Sequence, residues 1–413
     1  MAESGSENAL ALLRERGFVQ QVSDEEELTR RLGAGPLTFY AGFDPTAASL
    51  HVGSMVPLMA MAHLTRAGHR PIAVLGGGTT MVGDPSGRTE LRKMMTWETI
   101  CENRRSIDPQ VRKFLGDGKD VVVVDNGDWL LPLNYISFLR DIGRHFSVNR
   151  MLAAEAYKQR LEKGLSFIEF NYQLLQAYDF LVLSERYNCT LQIGGDDQWG
   201  NVVAGIDLIR RVRQADAFGL TFPLLTTAAG VKMGKTAAGA VWLDAKLTKP
   251  FDLYQYFVNV DDRDVIRFLK LLTFEPLDEI ARYAVLEGAE LREAKHALAF
   301  AVTAIVHDAP AAEEARRAAK AAFGGGTGAE DATVPTYAVP AAQADSGVKI
   351  VELLASSGLA ASRSAARRLI EQGGVRFGDR KITSIDDSIT AGDIGTGTLL
   401  HAGKKNLRRI TVG

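Results

Sequence analysis

Between Tyr40 and Ser54 the chain reads YAGFDPTAASLHVGS, which sets a phenol, a carboxylate, a hydroxyl and an imidazole beside two turn-forming glycines. A stretch with helical spacing of apolar residues, Met55–Ala67, follows at once. His51 and Ser54 stand three residues apart where that helix begins, so they share a face. A helix N-terminus offers unpaired N–H groups and the positive end of the peptide dipole, and a histidine there can donate to a phosphate oxygen. The same pair also reads as an N-cap serine and a surface turn histidine, and the stretch alone leaves both readings open.

Four further stretches carry chemistry. Lys232-Met233-Gly234-Lys235-Thr236 puts two lysines and a hydroxyl around a glycine. Such a loop can close over a polyphosphate, or it can be a solvated lysine loop. It is not a Walker P-loop, because the first glycine of that pattern would fall on Ala229. The cluster Gly76-Gly77-Gly78 permits close backbone approach to a ligand. It fails the dinucleotide fingerprint, since Met81 stands where a glycine is needed and Asp84 comes too early to read a ribose. In NYQLLQAYDF, Tyr172, Gln176 and Asp179 fall on one helical face. That stripe suits a ligand with an ammonium and a hydroxyl, or else the polar side of a solvated helix. LQIGGDDQWGN, from Leu191 to Asn201, places acids and amides directly after a strand, where they can bond a ribose or an amino group.

The elements that must position these groups are legible in outline. Apolar or β-branched runs at Leu37–Ala41, Pro71–Leu75, Val121–Val124 and Leu191–Ile193 alternate with helical segments, which predicts an α/β unit with a parallel sheet. The glycine- and acid-rich turns follow the strands, at the sheet edge where open parallel sheets bind ligands. A short amphipathic helix is expected over Ser6–Arg16. From about Pro250 to Ala322 the pattern is helical throughout. Residues 323–347 are rich in Gly, Ala and Pro and read as a linker. A helix at Lys349–Ser356, a basic helix at Ser362–Gln372 and a strand at Val375–Phe377 form a last module. The expected fold class is α/β, a Rossmann-like parallel-sheet catalytic domain followed by an α-helical domain and a small α+β domain. The expected boundaries are 1–247 for the first, with a connecting insertion, 248–323 for the second, 324–346 for a flexible linker and 347–413 for the last.

With 413 residues, 46% of them apolar and 24% charged, the chain has the composition of a soluble enzyme with ample core. From Val348 to Gly413 there are eleven Lys and Arg against six Asp and Glu, a balance of +5 that leaves −7 for the rest of a chain whose net charge is −2. A basic tail module on an acidic body suits an appended polyanion-binding unit. Two isolated cysteines, Cys101 and Cys189, form neither a disulfide framework nor a zinc motif. The opening MAESGSENALALLRERG lacks the pattern of a secretory signal, and no uncharged apolar run is long enough to span a bilayer. The expected location is a reducing cytoplasm, with no membrane partner.

Taken together, these stretches resemble the class I aminoacyl-tRNA synthetases, and among them the bacterial-type tyrosyl-tRNA synthetase family. YAGFDPTAASLHVGS matches the family's first signature, and NYQLLQAYDF, LQIGGDDQWGN and KMGKT follow in order at compatible spacing. The resemblance runs from roughly Phe18 to the C-terminus, where the last module is similar to an S4 RNA-binding domain. Two departures stand out. Ser54 occupies a position where the family often has a second histidine or asparagine, and the lysine loop reads KMGKT rather than KMSKS.

The resemblance implies tyrosine–tRNA ligation in two steps. L-tyrosine and ATP give tyrosyl-adenylate and pyrophosphate, and the tyrosyl group then passes to the 3′ end of tRNA(Tyr). It implies catalytic roles at the phosphates for Thr46, His51, Ser54, Lys232, Lys235 and Thr236. Tyr40 and Asp179 would meet the phenol hydroxyl, while Tyr172, Gln176 and Asp84 would meet the α-ammonium, with Gln198 a further tyrosine contact. Gly42, Asp44, His51, Gly195, Asp197 and Lys235 would contact ATP. Candidate tRNA contacts are Arg210 and Arg211, with Arg363, Arg367 and Arg368 on the S4-like helix. Mg²⁺ would accompany ATP, no tightly bound prosthetic group is expected, and a homodimer is implied, with the region around Phe167 as its interface. Two rivals remain at this level: a tryptophanyl-type enzyme, which gives no reason for Tyr40 and Asp179 to meet a phenol, and a synthetase-like RNA-binding protein without catalysis. The glycine pattern speaks against a nicotinamide-dependent enzyme.

Overall fold

The computed structural model describes residues 9–86, 94–116, 118, 120–153, 157, 158, 161, 164–228, 230, 233–236, 239–323, 334–403 and 406–413. They cluster into two compact units, one of residues 1–232 with 267–280 and one of residues 233–266 with 281–413.

The first unit is built on a six-stranded sheet. Its strands are β1 (Gln21–Val22), β2 (Thr38–Phe43), β3 (Arg70–Leu75), β4 (Val122–Asp125), β5 (Leu191–Gly195) and β6 (Phe218–Phe222), in the order β1-β6-β5-β2-β3-β4. Every pair is parallel except the edge pair β1–β6, in which Gln21 lies opposite Thr221. All of β6 and all but the first residue of β3 are buried, as strands covered on both faces must be. The chain runs from β2 to β3 to β4 in one direction and from β5 to β6 in the other. Right-handed crossovers therefore place helices Met55–Arg66 and Trp97–Leu115 on one face and helices Tyr172–Tyr187 and Trp199–Arg213 on the opposite face. The second pair packs closely because position 205 is glycine; a Cβ there would lie 2.9 Å from Phe180 Cδ1. The strands expected over 37–41 and 191–193 each run two residues further, to Phe43 and Gly195, and carry the backbone into the ligand edge. The glycine cluster after β3 is the start of a short helix, Gly77–Val82, rather than a plain turn.

Residues 267–280 are fastened to the same unit by Arg16. Its buried guanidinium donates to the carbonyls of Lys270 at 3.3 Å, Thr273 at 3.2 Å and Glu275 at 2.8 Å. Beside it, His63 stands edge-on to Phe18 and Phe274, with centroids 5.7 and 5.1 Å apart.

In the second unit, helices Pro250–Val258, Leu291–Val306 and Ala309–Phe323 pack on one another. The C-terminal module is a five-stranded sheet in the order Arg380–Ile382, Val375–Phe377, Thr398–Ala402, Asn406–Val412, Thr336–Val339. Helices Ile350–Ser356 and Arg363–Glu371 contribute to its core. The expected linker over 324–346 differs from the structure at its far end. Thr336–Val339 is a strand parallel to Asn406–Val412, and Ala341–Ser346 is a helix. Tyr337 and Val339 pack into the module's core, so the alternation in Thr-Tyr-Ala-Val outweighs the Ala and Pro around it. Arg408 binds Asp252 at 2.9 Å within this unit.

Burial, with Arg16 and Arg66 nearby, pushes the His63 imidazole down to about 3. The neutral ring is the native form. Its contribution to stability is complete above the ordinary histidine value of about 6.5 and is lost as pH falls from there toward 3. Thermal melts between pH 7.5 and 4.5 should therefore fall less steeply in His63→Phe than in the parent; parallel profiles would contradict this.

Candidate active site

A cleft of about 190 Å³ opens at the C-terminal ends of β2 and β5. These neighbours are where the strand order reverses, the point at which open α/β sheets bind ligands. Six of the residues singled out for the amino acid line it: Tyr40, Asp84, Tyr172, Gln176, Asp179 and Gln198. Gly42, Asp44 and Gly195 line it as well. They come from β2, from the segment after helix Gly77–Val82, from helix Tyr172–Tyr187 and from the β5 turn, so no single local stretch contains the site.

At the closed end the Asp179 carboxylate is 4% exposed. Oδ1 accepts from the Trp129 indole N–H at 2.7 Å, and Oδ2 accepts from Asn126 Nδ2 at 2.9 Å. Burial raises this carboxyl to about 7, with the two hydrogen bonds pulling it down and Asp44 pushing it up. The Tyr40 hydroxyl is buried in the same region and has no hydrogen-bond partner among the described residues. Burial, then the Asp179 charge, drives that phenol well above its ordinary range. The two groups together can bond a hydroxyl presented by a ligand: Asp179 as acceptor, Tyr40 as donor or acceptor.

Hydrogen bonds run from this end toward the mouth. Asn126 Nδ2 also donates to Thr79 Oγ1 at 3.0 Å, while its Oδ1 accepts the Gly78 N–H at 2.8 Å. Thr79 Oγ1 donates to Asp44 Oδ1 at 2.8 Å, and Tyr172 OH donates to Asp44 Oδ2 at 3.1 Å. Gly76 must be glycine here, since a Cβ would collide with the Asp44 carboxylate. A second chain links Asp84, which accepts from Gln198 Nε2 at 2.7 Å, to Asn201, which donates to both Gln198 and Gln176 at 3.1 and 3.0 Å. Carboxylate, amide and phenol oxygens thus converge as acceptors for a small cation.

Thr46, His51 and Ser54 ride on the loop and first turn that leave β2, outside the lining of the cleft. Thr46 is exposed, His51 and Ser54 half-buried. Ser54 precedes helix Met55–Arg66 but makes no capping bond with its side chain. The Asp197 carboxylate lies against Gly195, where a Cβ would come within 2.8 Å of Oδ1. Lys232 lies outside the described residues. Lys235–Thr236 is a strand of the second unit, paired with Gly239–Ala240. Gly234 has φ +85°, a conformation open to glycine and strained for the serine of the KMSKS form. Arg210 and Arg211 are exposed on helix Trp199–Arg213, where Arg210 pairs with Asp207 at 2.7 Å and Arg211 donates to His145 O at 3.0 Å. Arg363, Arg367 and Arg368 are exposed on the helix of the C-terminal module.

Asn126, Trp129 and Thr79 were given no site role from the sequence, and Asn201 only a general one within LQIGGDDQWGN. The signal for Asn126 was present in Asp125-Asn126-Gly127, a polar turn directly after β4.

Comparison with known proteins now has a geometry to meet. Residues 33–324 match the family described as tRNA synthetases class I (W and Y), and residues 348–394 match the S4 domain. The tyrosine–tRNA ligase of Clostridium botulinum (strain Alaska E43 / Type E3) is 51% identical over 98% of this chain and 99% of its own length. This chain belongs to the tyrosine–tRNA ligases. The ligase of Acetivibrio thermocellus is also 51% identical, over 96% of this chain and 98% of its own. The crystal structure of a C-terminally truncated mitochondrial tyrosyl-tRNA synthetase from Aspergillus nidulans superposes with a TM-score of 0.70 at 30% identity, covering 77% of this chain and 94% of that one.

The Trp129 contact is testable. Trp129→Phe removes a donor from the Asp179 carboxylate, so the carboxyl rises further. In the parent, kcat/KM for tyrosine should fall as pH drops through about 7. In the variant it should be lower by roughly 10- to 100-fold, the worth of a bond to a charged group, with its inflection moved upward. An unchanged profile would contradict the contact's role.

Proposed function

We infer that this cleft performs the ligase reaction with its closed end reading the tyrosine phenol and its mouth facing the ATP phosphates. As a tyrosine–tRNA ligase the chain activates L-tyrosine with ATP, then esterifies tRNA(Tyr). In the first step a tyrosine carboxylate oxygen attacks the α-phosphorus, the bond to the β-phosphate oxygen breaks, and pyrophosphate leaves. In the second a terminal ribose hydroxyl of the tRNA attacks the tyrosyl carbonyl carbon, and AMP leaves. No covalent enzyme intermediate is formed.

The observation that carries the reading is the buried Tyr40 hydroxyl, without a hydrogen-bond partner among the described residues, beside the Asp179 carboxylate. A substrate hydroxyl partners the Tyr40 hydroxyl and adds a bond to Asp179, whereas phenylalanine supplies neither and leaves Tyr40 buried without a partner among the described residues. The tyrosine enzymes are themselves the established example of such discrimination, at roughly 10⁵ without editing. The α-ammonium is assigned to Asp84, Gln176 and Tyr172, with Gln198 holding Asp84 in place.

Catalysis follows from positioning and charge stabilisation rather than acid–base chemistry. Thr46, His51 and Ser54 contact the phosphates as charge builds. Gly42, Asp44, Gly195 and Asp197 contact the nucleoside part, a role suited to Asp197 by its place against Gly195. Lys232, Lys235 and Thr236 clamp the departing pyrophosphate, a role carried by their motif. Mg²⁺ enters as part of the nucleotide substrate.

Arg210 and Arg211, with Arg363, Arg367 and Arg368, are proposed as phosphodiester contacts for tRNA, supported by their exposure. For the chain as a whole the proposed division is 1–247, 248–323, 324–346 and 347–413, with the first strand and helix of the last sheet module falling in the third part. A homodimer is supported by large apolar residues left exposed between positions 135 and 167, Tyr135, Ile136, Val148 and Phe167 among them, of which Ile136 and Phe167 are each 70% exposed. No helix among the described residues is long and apolar enough to cross a membrane, and a cytoplasmic location is proposed.

The direct test is exchange of pyrophosphate into ATP. Exchange should require tyrosine and fail with tryptophan or phenylalanine alone; exchange driven by tryptophan, or none with any amino acid, would overturn the reading. In single-turnover experiments Lys235→Ala should slow adenylate formation far more than it weakens tyrosine binding. Equal losses in both would remove Lys235 from the pyrophosphate clamp.

A further inference from the structure

Helix Trp97–Leu115 contributes no side chain to the cleft lining, yet it grips the loop that leaves β2 at both ends. Asn103 Nδ2 donates to Pro45 O at 3.0 Å. Gln110 Oε1 accepts the Leu50 N–H at 3.0 Å and lies 3.2 Å from the Ser49 hydroxyl, whose shorter acceptor is Leu50 O at 2.7 Å. The two amides are seven residues apart, nearly two full turns, so they project from the same face. Gln110 is itself oriented, because its Nε2 donates to Ser106 O at 3.1 Å and leaves Oε1 toward the loop.

The grips are buried and what they flank is not. Pro45, Ser49 and Leu50 are buried, as is Asn103, whereas Thr46 is exposed between the two grips and His51 follows the second directly. The loop's own backbone bonds, from Thr46 N–H to Asp44 O at 2.8 Å and from Ser54 N–H to His51 O at 2.7 Å, are local turns. They shape the loop without fixing it against the neighbouring helix.

We propose that Asn103 and Gln110 are positioning residues for adenylate formation, holding the Pro45–Leu50 loop so that Thr46 and His51 meet the ATP phosphates in the transition state. The proposal rests on the assignment of Thr46 and His51 to the phosphates. Neither amide touches the reacting atoms. Asn103 acts as a donor and Gln110 as an acceptor, which separates their role from simple space filling.

The test uses the full chain with tyrosine and Mg·ATP, and measures the single-turnover rate of adenylate formation, the tyrosine Kd and the melting temperature. Asn103→Leu and Gln110→Met, close in volume to the parent side chains, should slow adenylate formation by roughly 10- to 100-fold, the cost of a loop displaced by about an ångström. Tyrosine Kd should stay close to the parent value. Gln110→Glu, which keeps the acceptor toward the loop but loses the bond to Ser106 O, should restore part of the rate lost in Gln110→Met. Adding Gln110→Met to Thr46→Ala should cost less than it does alone, because it acts through the same loop; this cycle is read from variants that fold. Slowing matched by an equal loss of tyrosine affinity, no rescue by Gln110→Glu, or full additivity with Thr46→Ala would each overturn the proposal. If Thr46→Ala slows the reaction and the amide variants do not, positioning fails while the phosphate assignment stands. If Thr46→Ala itself has no effect, the phosphate assignment fails.

Discussion

A carboxylate that is 4% exposed must be held by donors or lose its charge, and Asp179 meets that demand with two neutral ones. Both come from the segment after β4, Asn126 from the turn and Trp129 from the short helix Gly127–Leu130. Asn126 spends its remaining groups on Thr79 and on the Gly78 N–H, which fixes the helix after β3. Thr79 then holds Asp44 after β2, and Asp44 holds Tyr172 on the same helix as Asp179. The circuit closes only if β2, β3 and β4 end together, as the pairings Phe43 with Leu75 and Leu75 with Asp125 ensure. Neutral donors matter for selectivity too. A cationic partner would satisfy the carboxylate outright, whereas an indole and an amide leave it with acceptor capacity for a substrate hydroxyl.

The cleft thus has two electrostatic regimes. Its closed end is buried, with a carboxyl raised to about 7 and a phenol that stays protonated. On the loop that leaves β2, Thr46 is exposed and His51 half-buried, so a highly charged nucleotide can meet them without full desolvation. On the proposed assignment the amino acid is recognised by buried groups that must find partners, and the phosphates by a loop whose backbone is held from outside the cleft. That assignment puts selection and rate on different parts of the unit, and it is the ground for proposing that residues on helix Trp97–Leu115 affect one without the other.

Much of this was legible in the chain itself. Continuous apolar runs marked β2, β3, β4 and β5, and the spacing of Tyr172, Gln176 and Asp179 brought all three to the cleft. Other parts were hidden for physical reasons. β1 is two residues long and exists through pairing with β6, almost 200 residues away, so no local pattern announces it. Strand Thr336–Val339 likewise depends on a partner near the C-terminus. Trp129 reads as an apolar residue until its indole N–H is seen on Asp179, and Asn126 reads as a turn former until all of its hydrogen-bonding groups are traced. Asn103 and Gln110 lie on an ordinary amphipathic helix, and their meaning comes from the loop they face.

The central claim is that tyrosine lies in this cleft with its phenol on Tyr40 and Asp179. A crystal structure of the tyrosine complex measures it directly. The phenol oxygen should lie within hydrogen-bond distance, about 2.7 Å, of both the Asp179 carboxylate and the Tyr40 hydroxyl, with the ammonium near Asp84, Gln176 and Tyr172. A phenol directed toward the mouth, or an Asp179 carboxylate bonded only to Asn126 and Trp129 in the complex, would contradict the account.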